Sequence, residues 1–299
     1  MIENFIELCR MSQKDLKKYV AEELAKTYTD VRNESGFVFA KGDFPVLLIA
    51  HLDTVHKALP DKVVYDMETL TISSPDGIGG DDRCGVYMIF EIIKKHKCSV
   101  LFCEDEEIGT VGAEKFVHSK VWGDLEFNYI IEFDRKGSND AVFYDCDNPE
   151  FKRFITKEFY EVAYGSFTDI SVVAPALGCA AVNLSCGYYN AHTTDEYVVY
   201  PEMMESIEAA CNIIENTTED DKFEYIESKD SFSYASFRSS SGFYDYNQYY
   251  LIQYVDKHGK EDWFETEATS MEEAIGMFCV NYPDLTFNHI VDYYVDDMY

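Results

Sequence analysis

The chain has 299 residues, 46% of them hydrophobic, and a formal net charge of −31. That length and apolar content suit a globular protein with one large domain and a small one, and exclude a disordered chain. The negative charge sets it against nucleic acid and anionic membrane surfaces, so neither is expected as a partner.

"SQKDLKKYVAEELAKTY" (12–28) has helical periodicity, with Ser12 placed to cap it. "GFVFAKGDFPVLLIA" (36–50) reads as a hairpin around Lys41, Gly42 and Asp43, and "VVYDMETLTIS" (63–73) as a shorter one. A Gly-rich loop, "PDGIGGDDRCG" (75–85), opens onto an apolar helix, 86–97. A buried strand (99–104), a helix (113–121) and two strands (127–135 and 141–145) follow. Next come a helix (149–163), a strand (179–187) and a closing helix (201–217) with Pro201 in its first turn. Strands alternating with helices predict an α/β fold: a three-layer sandwich around a mostly parallel sheet, spanning 1–217.

Residues 218–248 are acidic and Ser-rich without clear period, and read as a linker whose aromatics are free to pack elsewhere. Residues 249–299 read as strand, strand, helix, strand, a small α+β domain in which Ser270 and Glu273 form a capping box. The nine cysteines include no Cys-x-x-Cys pair, and five of them (Cys98, Cys103, Cys179, Cys211, Cys279) lie in apolar runs. The opening "MIENFIELCRMSQKD" lacks the basic and apolar regions of a signal peptide. No apolar run reaches the roughly 20 residues of a membrane-spanning helix. A reducing, cytoplasmic compartment is expected.

Chemistry gathers at the strand ends. "FPVLLIAHLDTVH" (44–56) runs from a buried strand straight into His51 and Asp53. Residues two apart in a strand point to the same side, so the two side chains sit together at the carboxyl end, where open α/β sheets bind ligands. The Gly-rich loop adds Asp81 and Asp82, the strand 99–104 leads to Glu106 and Glu107, the strand 127–135 ends in Asp134, and the strand 179–187 leads to His192. Each has a plain alternative. Asp82 and Asp105 could be solvated, Glu106 and Glu107 could complement a helix dipole, and His192 could be a loop histidine, as His56, His96, His118, His258 and His289 are read to be. Five successive strand ends all presenting ligand types argue against that explanation. So many carboxylates tolerate one another when cations neutralise them. Two histidines with carboxylates suit zinc better than calcium or magnesium, with cobalt or manganese as further options.

The motifs "AHLDTV", "GGDDRCG", "DEEIGTVGA", "FDRKG" and "AHTTDEY", in that order, resemble those of the di-zinc exopeptidases, a group that includes peptidase T, carboxypeptidase G, aminoacylase and the glutamyl-aminopeptidase type. The resemblance covers roughly 1–217. It implies two metal ions. His51 and Asp134 would ligate one, Glu107 and His192 the other, and Asp81 would bridge them. Asp53 would orient His51, and Glu106 would be the general base on a metal-bridging water. It places Asp82 next to the bridge and leaves its role open. "GSFTD" (165–169) resembles a substrate-side loop of these enzymes, and "GYYNAH" could line the pocket; both equally fit ordinary turns.

The chain departs from the family in one respect. Asp134 and His192 are separated by only 57 residues (192 − 134 − 1), already committed to the catalytic layer, so the lid or dimerisation insert of many relatives is absent. The expectation is therefore a monomer, or a dimer through 249–299. The leading function is an aminopeptidase or di-/tripeptidase acting on small peptides. The alternatives are an amidohydrolase or deacylase of N-acyl amino acids and, from another class, an inactive peptide-binding scaffold.

Overall fold

The computed structural model describes residues 2–123, 125–157, 159–165, 167–218, 221–228, 248–257, 259–268 and 290–296, together with Ala274, Phe278, Tyr282 and Leu285. The chain divides into two compact units, Met1–Ser231 and Phe232–Tyr299.

The first unit opens with two helices, α1 (Ile2–Cys9) and α2 (Gln13–Leu24), and three strands, β1 (Val31–Glu34), β2 (Phe37–Ala40) and β3 (Phe44–His51). A small hairpin, β4 (Val64–Asp66) and β5 (Thr71–Ser73), precedes α3 (Gly80–Ile92), β6 (Cys98–Cys103), α4 (Val111–Ser119) and β7 (Tyr129–Arg135). Then come β8 (Asp140–Val142), α5 (Pro149–Ile155), β9 (Glu161–Ala163), α6 (Asp169–Leu177) and β10 (Ala181–Ser185). Two short strands, β11 (Tyr188–Tyr189) and β12 (Tyr197–Val199), lead into α7 (Tyr200–Glu215).

Eight strands form the main sheet in the order β1-β2-β6-β3-β7-β10-β8-β9. Its centre, β6-β3-β7-β10, is parallel throughout. The central strands are buried on both faces, which is why they read as unbroken apolar runs. Their alternation splits the core. Val46, Leu48 and Ala50 of β3 face the cluster shared with α1, α2, α3 and α7, while Leu47 and Ile49 face the cluster shared with α4 and α6. This is the expected three-layer α/β sandwich. A second sheet, β11-β12-β5-β4, is antiparallel.

Three local expectations are corrected. Residues 36–50 are not a hairpin: β2 pairs antiparallel with β6, and β3 pairs parallel with the other side of β6. The strand 98–103 inserts between two segments that are neighbours in sequence, and Lys41–Asp43 carries the chain past it. A Cβ on Gly42 would lie 2.2 Å from the Lys97 carbonyl oxygen, so only glycine fits that passage. The expected helix 149–163 ends at Ile155; the Tyr160 hydroxyl bonds to Ser206, and 161–163 becomes strand β9 beside β8. Helix α1 was not expected, and α6, the second helix between Asp134 and His192, was given no bounds; it is apolar around most of its surface, which hides its period, and it carries Pro175.

After α7 the chain stays in the first unit. The Phe223 N–H donates to the Asn128 carbonyl, and the Ala180 N–H donates to the Phe223 carbonyl. Phe223 and Tyr225 pack against the core.

In the second unit β13 (Gln248–Val255) lies between β14 (Glu261–Ala268) and β15 (Ile290–Asp296), antiparallel to both. Tyr250, Ile252 and Tyr254 pack with Ala274, Phe278 and Leu285. The expected capping box of Ser270 and Glu273 lies outside the described residues, as does most of the expected helix 270–283.

Candidate metal centre

His51 is the last residue of β3 and is buried, with its ring surrounded by carboxylates. Its Nδ1 lies 3.2 Å from Asp53 Oδ1, and its Nε2 lies 3.0 Å from Asp81 Oδ1 and 3.5 Å from Asp134 Oδ1. His192, on the loop between β11 and β12, places Nε2 3.2 Å from Asp81 Oδ2 and 3.1 Å from Glu107 Oε2. Asp81 thus turns one oxygen to each histidine. His51, Asp81 and Asp134 form one group able to hold a metal ion, and Asp81, Glu107 and His192 form another, with the ligand atoms of each within 4.8 Å of one another.

All five residues named from the sequence as ligands come together, and Asp53 and Glu106 join them. Asp53 does more than hold His51. Its Oδ1 accepts from the Glu106 N–H at 3.0 Å and its Oδ2 from the Glu107 N–H at 3.1 Å, so one carboxylate fixes a histidine and the adjacent acidic turn. Asp134 is held by the Thr168 hydroxyl at 2.9 Å and the Tyr188 hydroxyl at 3.3 Å, which brings the threonine of "GSFTD" into the surroundings of the site.

Three residues support the site from below. Asp82 is fully buried; its Oδ2 accepts from the His51 N–H at 3.1 Å and its Oδ1 from the Gly85 N–H at 2.8 Å, tying the end of β3 to the start of α3. Glu196, also fully buried, accepts from the Gly79 N–H at 2.8 Å and the Asp81 N–H at 3.0 Å, and its Oε2 lies 2.9 Å from His56 Nε2. It grips the turn at Gly79, whose φ of +66° suits glycine. Arg83 is buried and donates to the Leu52, Asp53 and Met11 carbonyls. Sequence reasoning passed over Glu196 and Arg83. The available signal was their place inside the "AHTTDEY" and "GGDDRCG" motifs, where the residues beside the ligands had no assigned work.

The electrostatics follow from crowding. Burial pushes the Asp134 carboxyl up to about 6, with Asp81 adding to the effect. Burial, with Asp134, Asp169 and Glu107 adding, raises Glu106 well above the usual carboxylate range. Bonds to Asp81 and Glu107 push His192 up to about 11 against the opposing effect of burial. Carboxylates forced to share protons in this way are relieved by cations. The side of the site at His192 is open, with 53% of that side chain exposed.

Neither a protein-family model nor a curated protein matches the sequence. Solved structures do match. Aminopeptidase PepT from Bacillus cereus ATCC 10987 superposes with a TM-score of 0.59 at 15% identity, covering 72% of this chain and 97% of that one. A tripeptidase from Staphylococcus aureus subsp. aureus Mu50 gives 0.58 at 13% identity, covering 71% and 96%. An aminopeptidase from the archaeon Desulfurococcus kamchatkensis gives 0.56 at 16% identity, covering 72% and 96%. The chain therefore carries an α/β fold that these aminopeptidases and this tripeptidase share.

Among the described residues no helix is long and apolar enough to cross a membrane. Eight cysteines are described, all buried and unpaired.

Proposed function

We propose that this chain is a metal-dependent exopeptidase, an aminopeptidase or di-/tripeptidase, using two divalent cations with zinc as the first choice. One observation carries the reading: Asp81 presents its two oxygens to two different histidines, each backed by a further carboxylate. The donor set fits such ions. Each group offers one imidazole and two carboxylates, a borderline set suited to zinc, and Glu107 Oε1 is buried without a hydrogen-bond partner. The fold shared with aminopeptidases supports the same reading.

When bound, the two cations would acidify a water and polarise the scissile carbonyl. The chain's own residues do the rest. His51, Asp134, Glu107 and His192 would hold the ions, with Asp81 between them. Glu106, as its carboxylate, would take a proton from the attacking water and deliver it to the departing amine. Asp53 keeps His51 in one tautomer and fixes the Glu106 backbone, so base and ligands share one anchor. The open side at His192 admits the peptide.

The test is a hydrolysis panel with the purified full chain, stripped by chelator and reloaded with zinc. Short peptides with free N-termini should be cleaved only by the reloaded protein. Cleavage confined to N-acyl amino acids would make the chain a deacylase instead. A zinc-loaded protein that hydrolyses neither would leave a peptide-binding scaffold and refute the proposal.

A further inference from the structure

The segment after β6 reads Glu104, Asp105, Glu106, Glu107, four consecutive carboxylates that repel one another. The structure sorts them. Glu106 and Glu107 belong to the site, while Glu104 and Asp105 are taken up by helix α2. Lys17 Nζ lies 2.5 Å from Glu104 Oε2, and Gln13 Nε2 donates to Asp105 Oδ1 at 2.9 Å. Asp105 has a φ of +61°, a left-handed conformation uncommon for a residue with a Cβ and tolerated best by Asn and Asp.

The turn is held from three directions. Asp53 accepts from the Glu106 and Glu107 N–H groups. The start of α4 donates to the carbonyls, from Val111 to Asp105 and from Thr110 to Glu106. The third hold is Gln13, the first residue of α2, and α2 is itself anchored by buried Leu16, Val20 and Leu24. Without it the Asp105 carboxylate, beside three like charges, has a reason to swing and to take the Glu106–Glu107 backbone with it.

We propose that Gln13 is a positioning residue for the Glu106–Glu107 pair, acting through Asp105. The inference rests on the exopeptidase reading, in which Glu107 holds a cation and Glu106 is the base. A neutral donor suits the position because it binds Asp105 without adding a fifth carboxylate to the run.

The test uses Gln13→Glu, Gln13→Lys and the wild-type full chain, measuring zinc affinity of the chelator-stripped protein by competition with a chromophoric chelator, kcat and KM on a short peptide, and Tm. Gln13→Glu keeps the size of the side chain and puts an acid in the first turn of α2, which the helix dipole favours. The dipole offsets part of the lost bond to Asp105, so Tm should fall only slightly, while zinc binding should weaken about tenfold and kcat fall by roughly 10–100-fold with KM little changed, the scale of a misplaced reacting group. Gln13→Lys restores a donor and should stay near wild type in zinc affinity and kcat, with a slightly lower Tm. Wild-type zinc affinity and kcat in Gln13→Glu would overturn the proposal. So would equal losses in both variants accompanied by a large fall in Tm, the signature of packing alone. A wild-type chain that binds no zinc overturns this inference and the functional reading together. One that binds zinc but cleaves no peptide overturns the functional reading, and the zinc series still decides the role of Gln13.

Discussion

Glu196 offers the most revealing substitution. It is fully buried and takes the Asp81 N–H on Oε1, while Oε2 meets the Gly79 N–H and His56 Nε2. Glu196→Gln keeps the shape. The amide has one accepting oxygen, so the orientation that preserves the bonds to Gly79 and His56 turns the NH2 group toward the Asp81 N–H. A bond to a charged group contributes about 1.5–3 kcal/mol, and a buried donor left unpaired costs about 1–3 kcal/mol. The sum is about 2.5–6 kcal/mol of stability, which for a unit of this size lowers Tm by about 5–24 °C. The same change releases the backbone of the residue that faces both histidines, so affinity should fall for both metal ions together. Differential scanning fluorimetry and a zinc titration measure the two effects. A Glu196→Gln protein within 1–2 °C of wild type (roughly 0.5 kcal/mol by the same conversion), with unchanged zinc affinity, would refute the argument that Glu196 holds Asp81.

Glu106→Gln should retain zinc and Tm and lose activity by about 10²–10⁴-fold, the range for a general base, as read by peptide hydrolysis beside metal analysis. Glu107→Ala should lose zinc and activity together, which separates two adjacent carboxylates by role. Gly85→Ala should destabilise strongly: its Cβ would lie 2.0 Å from the Phe133 carbonyl oxygen and 2.5 Å from Asp82 Oδ2, so the strap from Asp82 to the His51 N–H must shift. Chemical denaturation should register a loss of about 3 kcal/mol or more, the range of severe core overpacking and broken buried networks.

Much of the candidate site was legible because its residues carry unusual chemistry at predictable places. His51 and Asp53 announce themselves by ending an apolar run, and the i, i+2 spacing of a strand puts them on one side. Asp81, Glu107, Asp134 and His192 follow at later strand and loop ends, and motif order made them readable as a set. Strand pairing was less legible. Nothing in 36–50 reveals that β6, some fifty residues later, separates β2 from β3. That order is set by which apolar faces can be covered by helices, a tertiary matter. Helix α6 could be counted but not placed, because an almost wholly apolar segment has no visible period. Glu196, Arg83 and Gln13 escaped for another reason. A carboxylate gripping backbone N–H groups, a guanidinium gripping carbonyls and an amide gripping Asp105 look like ordinary surface residues until the chain brings their partners to them.

The shared role of Asp81 is the point on which the whole reading turns, and metal stoichiometry tests it. Chelator-stripped protein titrated with zinc should bind two ions per chain; His51→Ala and His192→Ala should each remove one, and Asp81→Ala should abolish tight binding of both. A single ion per chain in the wild type, or two ions retained in Asp81→Ala, would contradict a centre in which one aspartate joins two metal groups.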